Sequence, residues 1–270
     1  MKCAGFTLIE LLVVIAVIAL LIAISVPSLQ NSRQHAKAII CSSNVKQLIL
    51  GLTMYETENR TFPYALDDTL LEPPPGGYPG HFQYDRRGWW WFNHIIDYSR
   101  KDFDKDSVIW CPSRKVKNTK LKNNVLCGNY GVNNSICKSS DDIKSRRKQF
   151  VGTPLSSSDI QHPGRTLLIV DSGYSIISWW HVTDVPPVSL GSTIEDAAYV
   201  PGLEINKKKD LWPGQERDAI NGRHPNRTVN IGFVDGHVSR KKANDSFVEK
   251  IAEDYKNKSP FWQPVKTNND

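Results

Sequence analysis

The sequence predicts an α+β protein: one long N-terminal helix, apolar in its first half, with its second half packed on an antiparallel β-sheet joined by long irregular loops. Three observations predict it. Residues 5–27, "GFTLIELLVVIAVIALLIAISVP", form an apolar run broken by one carboxylate, Glu10. Farther on, Cys41, Val45, Leu48, Leu52 and Tyr55 recur at helical spacing. Toward the C-terminus, "GRTLLIVDS" and "TVNIGFVDGHVSR" carry strand and hairpin signals.

The first element is the apolar run. Residues 6–26 hold a single charge, and at ~1.5 Å per helical residue they span ~30 Å, the thickness of a bilayer's hydrocarbon core. Lys2 lies on the N-terminal side, which favours a cytoplasmic N-terminus and places the rest of the chain beyond the inner membrane. A cleaved signal peptide fits poorly. "AIS" at residues 23–25 passes loosely as a cleavage site, but the apolar region is too long and contains an acid. A plain anchor gains nothing from that acid, which costs roughly 1–3 kcal/mol in lipid depending on depth. A third reading gives it a use. If the chain is cut between Gly5 and Phe6, the new α-amine of Phe6 is a cation at the helix end and Glu10 lies one turn on. The carboxylate can then pair with the amine of a neighbouring copy in a low-dielectric setting, and the penalty for an unpaired acid drives subunits together.

Pro27 closes the apolar run, where it kinks the helix or restarts it. Residues 28–62 continue as an amphipathic stem ended by "ENRTFP". The apolar stripe needs a sheet as partner, while Asn44, Lys46, Gln47 and Glu56 occupy other faces. Gly51 weakens the stem by roughly 1 kcal/mol relative to alanine, which points to close packing there. Residues 63–270 form the head. Its segment 67–92 is rich in Pro and Gly and ends in Trp89, Trp90 and Trp91, which either pack the loop down or offer an aromatic patch to a glycan or partner. "DSVIWCPSR" reads as a short strand over residues 108–111, and "LCGNYGVNNS" as a turn-rich stretch. The apolar residues 167–170 make a buried strand. The final hairpin, about residues 228–240, turns at Asp235 and Gly236, the pair expected in a type I′ turn. A short helix and flexible tail follow.

Lys and Arg number 34 against 28 acids, a net charge of +6. The basic residues fall in short patches such as "SRRKQ" and "NKKKD", too scattered for a nucleic-acid surface. Cys3 precedes the apolar run, and Cys41, Cys111, Cys127 and Cys137 follow it. In an oxidising compartment those four allow two disulfides by three connectivities, all of which the sequence leaves open. No C-x-x-C occurs, so no zinc or other metal site is predicted. His224, Asp235, His237 and Asp171 invite a catalytic or metal reading. A turn aspartate, a histidine opening the return strand and a histidine capping or bonded to a neighbouring loop account for them better. No Ser-His-Asp set, nucleophile elbow or H-E-x-x-H motif accompanies them, so no enzyme is predicted.

The short leader "MKCAG", Phe6, Glu10, the apolar helix and Pro27 together resemble the prepilin N-terminus of type IV pilins and type II secretion pseudopilins. The resemblance implies a pilin-like fold, a prepilin leader at residues 1–5 and a transmembrane assembly helix at 6–27. It further implies cleavage after Gly5 and methylation of the Phe6 amine by a prepilin peptidase, with Glu10 setting subunit register. The head resembles the prepilin-type H-X9-DG proteins, related to the DUF1559 group, through "CSSNVKQLILGLTMYETEN", "CPS", "YGVN", "RTLLIVDS", His224 and Asp235-Gly236. Ten residues separate His224 from Asp235 where the family name implies nine. The implied partners are copies of the same chain, other pilin-like subunits, the peptidase and an inner-membrane platform protein. The implied location is the bacterial inner membrane, single-pass, with the head periplasmic or extracellular. No cofactor is implied; a structural calcium ion, as in some pseudopilins, stays open because the carboxylates are too dispersed to nominate ligands.

Overall fold

Helix α1 runs from Leu8 to Asn59 in the computed structural model, 52 residues or ~78 Å at ~1.5 Å each. The structure describes residues 7–70, 72–74, 88–95, 107–140, 150–183, 198–248 and 261–263. Pro27 lies inside α1, so it neither ends nor restarts the helix. Its missing N–H costs one backbone bond, a defect a long helix absorbs when its neighbours are in place. Arg60, in the left-handed region at φ 69°, closes the helix by donating its N–H to the Glu56 carbonyl at 2.7 Å.

Short strands β1 (Leu66–Asp67) and β2 (Trp89–Trp90) pair antiparallel beside the stem. A one-turn helix, α2 (Thr119–Lys122), is capped by Asn118, and α3 spans Glu216–Asn221. The main sheet holds β3 (Tyr130–Asn133), β4 (Leu167–Asp171), β5 (Ile176–Ile177), β6 (Thr228–Phe233) and β7 (Val238–Lys242), in spatial order β5-β3-β4-β6-β7. All neighbours are antiparallel except β3 and β5, which run parallel, so the sheet is mixed rather than purely antiparallel. Strand β3 falls inside the stretch expected to be turns. Conversely, the strand expected at residues 108–111 is a turn, closed by the Trp110 N–H donating to the Ser107 carbonyl at 2.9 Å. Its apolar residues Ile109, Trp110 and Cys111 are buried without pairing to a strand.

Helix α1 crosses the central strands on one face. Ala38, Cys41, Val45, Leu48, Ile49 and Leu52 are buried there, as the stripe predicts, and Tyr55 is half-buried. Asn44 departs from the expected polar face. It is buried and donates from Nδ2 to the Trp110 carbonyl at 3.2 Å, the hydrogen bond that makes its burial tolerable. Gly232 marks the closest approach, because a Cβ there would lie 2.2 Å from Ile49 Cδ1. Gly51 has a similar reason, its absent Cβ leaving room for Ile95 at 3.3 Å.

The β6–β7 hairpin turns differently from expectation. Phe233 and His237 close it, with the Phe233 N–H donating to the His237 carbonyl and the Gly236 N–H to the Phe233 carbonyl, both at 3.0 Å. A type I′ turn needs positive φ at both central residues, but only Gly236, at 88°, has it. The loop is therefore three residues, with Gly236 at the left-handed position. The tail is not simply loose: Phe261 accepts from the Leu167 N–H, and buried Trp262 donates to the Phe247 carbonyl at 2.8 Å. The short C-terminal helix expected beyond residue 248 lies outside the described residues.

Candidate functional site

Two regions hold the residues singled out by sequence. The first is the N-terminal part of α1. Every residue from 7 to 37 is exposed, among them Leu8, Ile9, Leu20 and Ile24. This is the one described helix long and apolar enough to cross a membrane. Glu10 sits in its first turn, where its carboxylate accepts from the Thr7 N–H and hydroxyl, both at 2.8 Å, while the Thr7 hydroxyl accepts from the Glu10 N–H. Thr7 and Glu10 thus form a capping box. The T-x-x-E pattern was available in "FTLIE", but the apolar residues around it drew attention to lipid rather than to helix capping. Gly5 and Phe6 lie outside the described residues.

The second region is the buried interface between stem and sheet. Asp171 at the end of β4 and Asn230 in β6 share the face that α1 covers. The Asn230 N–H donates to Asp171 Oδ2 at 2.6 Å, and His224 Nε2 donates to the same oxygen at 3.0 Å. Arg223, the preceding residue, is also buried. It donates to the carbonyls of Asn129 and Ser172 at 2.6 and 3.0 Å and to Asp218 at 2.7 Å, with Asp171 Oδ1 3.8 Å away. Asp218 in turn accepts from the Tyr199 hydroxyl and the Lys115 N–H. Burial disfavours the charged imidazole, but the Asp171 carboxylate outweighs it and holds His224 up at about 9. Burial likewise works against the Asp171 carboxylate, yet His224 and Arg223 keep it below its usual range.

Cys41 from α1 and Cys111 from the loop reach the same place, with their sulfurs 2.8 Å apart. Together with His224 they offer three ligand atoms within 4.8 Å of one another, all buried. Burial pushes the Cys111 thiol well up. For Cys41 burial is again the largest influence and acts upward, but hydrogen bonding from Cys111 together with that from the Ser113 side chain and backbone outweighs it, so its thiol lies below the ordinary range. Of the four cysteines expected to pair as disulfides, Cys41 and Cys111 lie side by side without an S–S bond in the structure, Cys137 is a buried thiol, and Cys127 is buried in the core. The Cys41–Cys111 gap exceeds a disulfide bond of ~2.05 Å, and Cys127 and Cys137 are each packed into the core.

Other sequence candidates separate. Asp235 is at the hairpin tip, its carboxylate 2.5 Å from His237 Nδ1, and His237 stacks on Phe233. His224 precedes β6 and Asp235 follows it, so the six-residue strand (~20 Å) keeps them apart. His224 and Asp171 do converge, but in a packed interior rather than in a cleft. Trp90 and Trp91 are buried and Trp89 is half-buried, donating to the Glu72 carbonyl. Their side chains pack toward the core, which removes the exposed aromatic row a glycan site requires. Arg223 and Asp218 were missed by sequence reasoning, since a buried arginine has no local pattern to announce it.

Residues 1–26 match the prokaryotic N-terminal methylation motif. Over 75 residues the chain is 31% identical to type II secretion system core protein G of Pseudomonas aeruginosa, covering 27% of this chain and 53% of that protein. It is 38% identical over 58 residues to the type IV wide pilus major component PilA4 of Thermus thermophilus, covering 22% and 44%. It is 33% identical over 78 residues to competence protein ComGC of Halalkalibacterium halodurans, covering 29% of this chain and 72% of that protein. The chain thus spans about half the length of the first two relatives and more of the third. No solved structure matches it.

Proposed function

Because the chain belongs to the family of type IV pilin- and type II secretion pseudopilin-like proteins, we propose that it is a membrane-inserted subunit that assembles through the exposed half of α1. It is a non-enzymatic structural protein bearing the methylation motif, anchored by one apolar N-terminal helix. In this reading a prepilin peptidase cuts between Gly5 and Phe6 and methylates the new amine. The N-terminus faces the cytoplasm, the head lies beyond the inner membrane, and the partners are copies of itself, other pilin-like subunits and a platform protein.

The observation that carries the proposal is a helix with 30 exposed residues, 8–37, whose apolar first part contains one carboxylate. A helix that is apolar all round stays in lipid or packs on other helices. In the isolated chain Thr7 satisfies the Glu10 carboxylate. That local bond is the stand-in which the Phe6 amine of a neighbouring copy replaces on assembly, with a cationic donor and hence an ion pair in place of neutral donors. Glu10→Ala is expected to leave membrane insertion intact and to abolish incorporation into filaments, read by shearing and immunodetection. Normal incorporation would count against assembly through Glu10. Thr7→Val, which removes the local hydroxyl donor but keeps the carboxylate, should still assemble.

A finer assignment to the H-X9-DG group is supported by the way its signature residues are used. His224 ties the strand entry to Asp171, and Asp235-Gly236 shape the hairpin that contacts α1, where Lys46 Nζ donates to the Gly236 carbonyl at 2.7 Å. The additional residue between His224 and Asp235 is absorbed in the loop before β6, where Asn226 and Arg227 take positive φ of 57° and 55°.

A further inference from the structure

We infer that Cys41, Cys111 and His224 form a metal site for a thiophilic cation, zinc, which clamps the stem helix to the head. The inference is independent of how the exposed half of α1 assembles. Cys41 comes from α1, Cys111 from the loop after the aromatic segment, and His224 from the entry to β6, so a single ion would tie three remote segments together.

Four observations meet here. The donors are two sulfurs and a nitrogen within 4.8 Å of one another, all from buried residues. Soft sulfur and imidazole donors select zinc over calcium or magnesium. The imidazole is already oriented, because its Nε2 is held by Asp171 Oδ2 at 3.0 Å. A carboxylate on the far nitrogen of a ligating histidine is the usual outer partner of such a site. The remaining nitrogen, His224 Nδ1, is buried and makes no hydrogen bond of good geometry, and the Cys111 thiol is the group beside the ring that interacts with it by hydrogen bonding and charge. A disulfide between the cysteines would leave that nitrogen without a partner; a cation uses it.

The geometry needs only a small adjustment. With bonds of ~2.3 Å to sulfur and ~2.0–2.1 Å to nitrogen, donors around a tetrahedral ion lie ~3.5–3.8 Å apart. The sulfurs, at 2.8 Å, must part by ~1 Å. The three side chains leave one tetrahedral position, which would fall to a water. On binding, each thiol releases its proton to solvent and the His224 imidazolium releases its Nδ1 proton as well, which frees the lone pair that takes the ion; three protons leave, and the two thiolates balance the ion's two charges. No electron is transferred. Around it, Arg223 and Asp218 already neutralise each other through a 2.7 Å ion pair, which leaves Asp171 with Arg223 3.8 Å away.

The test uses the full chain, extracted from membranes in mild detergent without added metal. Elemental analysis should find about one zinc per chain, and X-ray absorption should show sulfur and nitrogen donors. Cys41→Ser and His224→Ala should each lose the zinc, whereas Cys137→Ser, at a buried thiol outside the cluster, should keep it. Asp171→Asn should retain the site with zinc affinity weakened ~10–100-fold. Wild-type protein alone decides if the variants fail to fold. Metal-free chains with Cys41 and Cys111 joined, lighter by two hydrogens and found linked by peptide mapping, would overturn the inference. So would metal-free chains with both thiols free, or zinc that survives Cys41→Ser.

Discussion

The two halves of α1 share one unbroken backbone and meet opposite surroundings. From residue 8 to 37 nothing is buried; from 38 to 52 seven side chains are, Ala38, Cys41, Asn44, Val45, Leu48, Ile49 and Leu52. The difference lies in pattern rather than in helix-forming tendency. As far as Val26 the first half is apolar around its whole circumference apart from Glu10, and it finds no partner among the described residues. The second half is apolar on one stripe, and the sheet supplies a face shaped to it, with Gly232 removing a side chain where Ile49 comes closest. What this teaches is that the head stabilises only the half it touches, so the other half is free to answer to lipid and to neighbouring subunits.

That division can be broken by mutation, beginning with the largest expected effect. Asp171→Ala leaves His224 and the Asn230 N–H without their buried carboxylate and should cost the head about 3–5 kcal/mol, read as a lower melting temperature in detergent, with membrane insertion unchanged. Gly232→Ala places a methyl group against Ile49 and should cost about 1–3 kcal/mol. Ile49→Ala in the same chain removes the closest overlap and leaves that with Ile169 Cγ2 at 2.8 Å, so the double variant should lose less than the two singles summed. An additive result would mean that helix and sheet are not in contact there. Gly236→Ala meets no neighbouring atom, so only its φ of 88° matters; the expected loss is about 1–2 kcal/mol. The smallest effect on the head belongs to the exposed half. Leu20→Ala, at a position 65% exposed, should move head stability by less than ~0.5 kcal/mol. A head that melts earlier in that variant would show the halves to be coupled.

The sequence made the long helix, the stem stripe, the β4 strand and the final hairpin legible, because each is written in a short periodic window. The strand at Tyr130–Asn133 was hidden by its Gly and Asn residues, which read as turns. They serve the sheet instead, since Asn133 Nδ2 donates to the Leu167 and Trp262 carbonyls, both at 2.9 Å. The apolar "VIW" before Cys111 read as a strand, but its burial comes from tertiary packing without a pairing partner. At the N-terminus the apolar run and its carboxylate were plain, while the bond from Thr7 to Glu10 was not. The buried cluster was the least legible part. Cys41, Cys111 and His224 are 70 and 113 residues apart in the chain, so no ligand spacing exists to be read. Asp171 gains its partners only when β4 and β6 come together beneath α1, and Arg223 when its segment meets the carbonyls of Asn129 and Ser172.

The most direct measurement is the N-terminal mass of the natural protein recovered from its membrane. A chain beginning at N-methylated Phe6, with Glu10 as its fifth residue, is the predicted result. An intact Met1, or a first residue at Val26 with the apolar helix removed, would contradict the account.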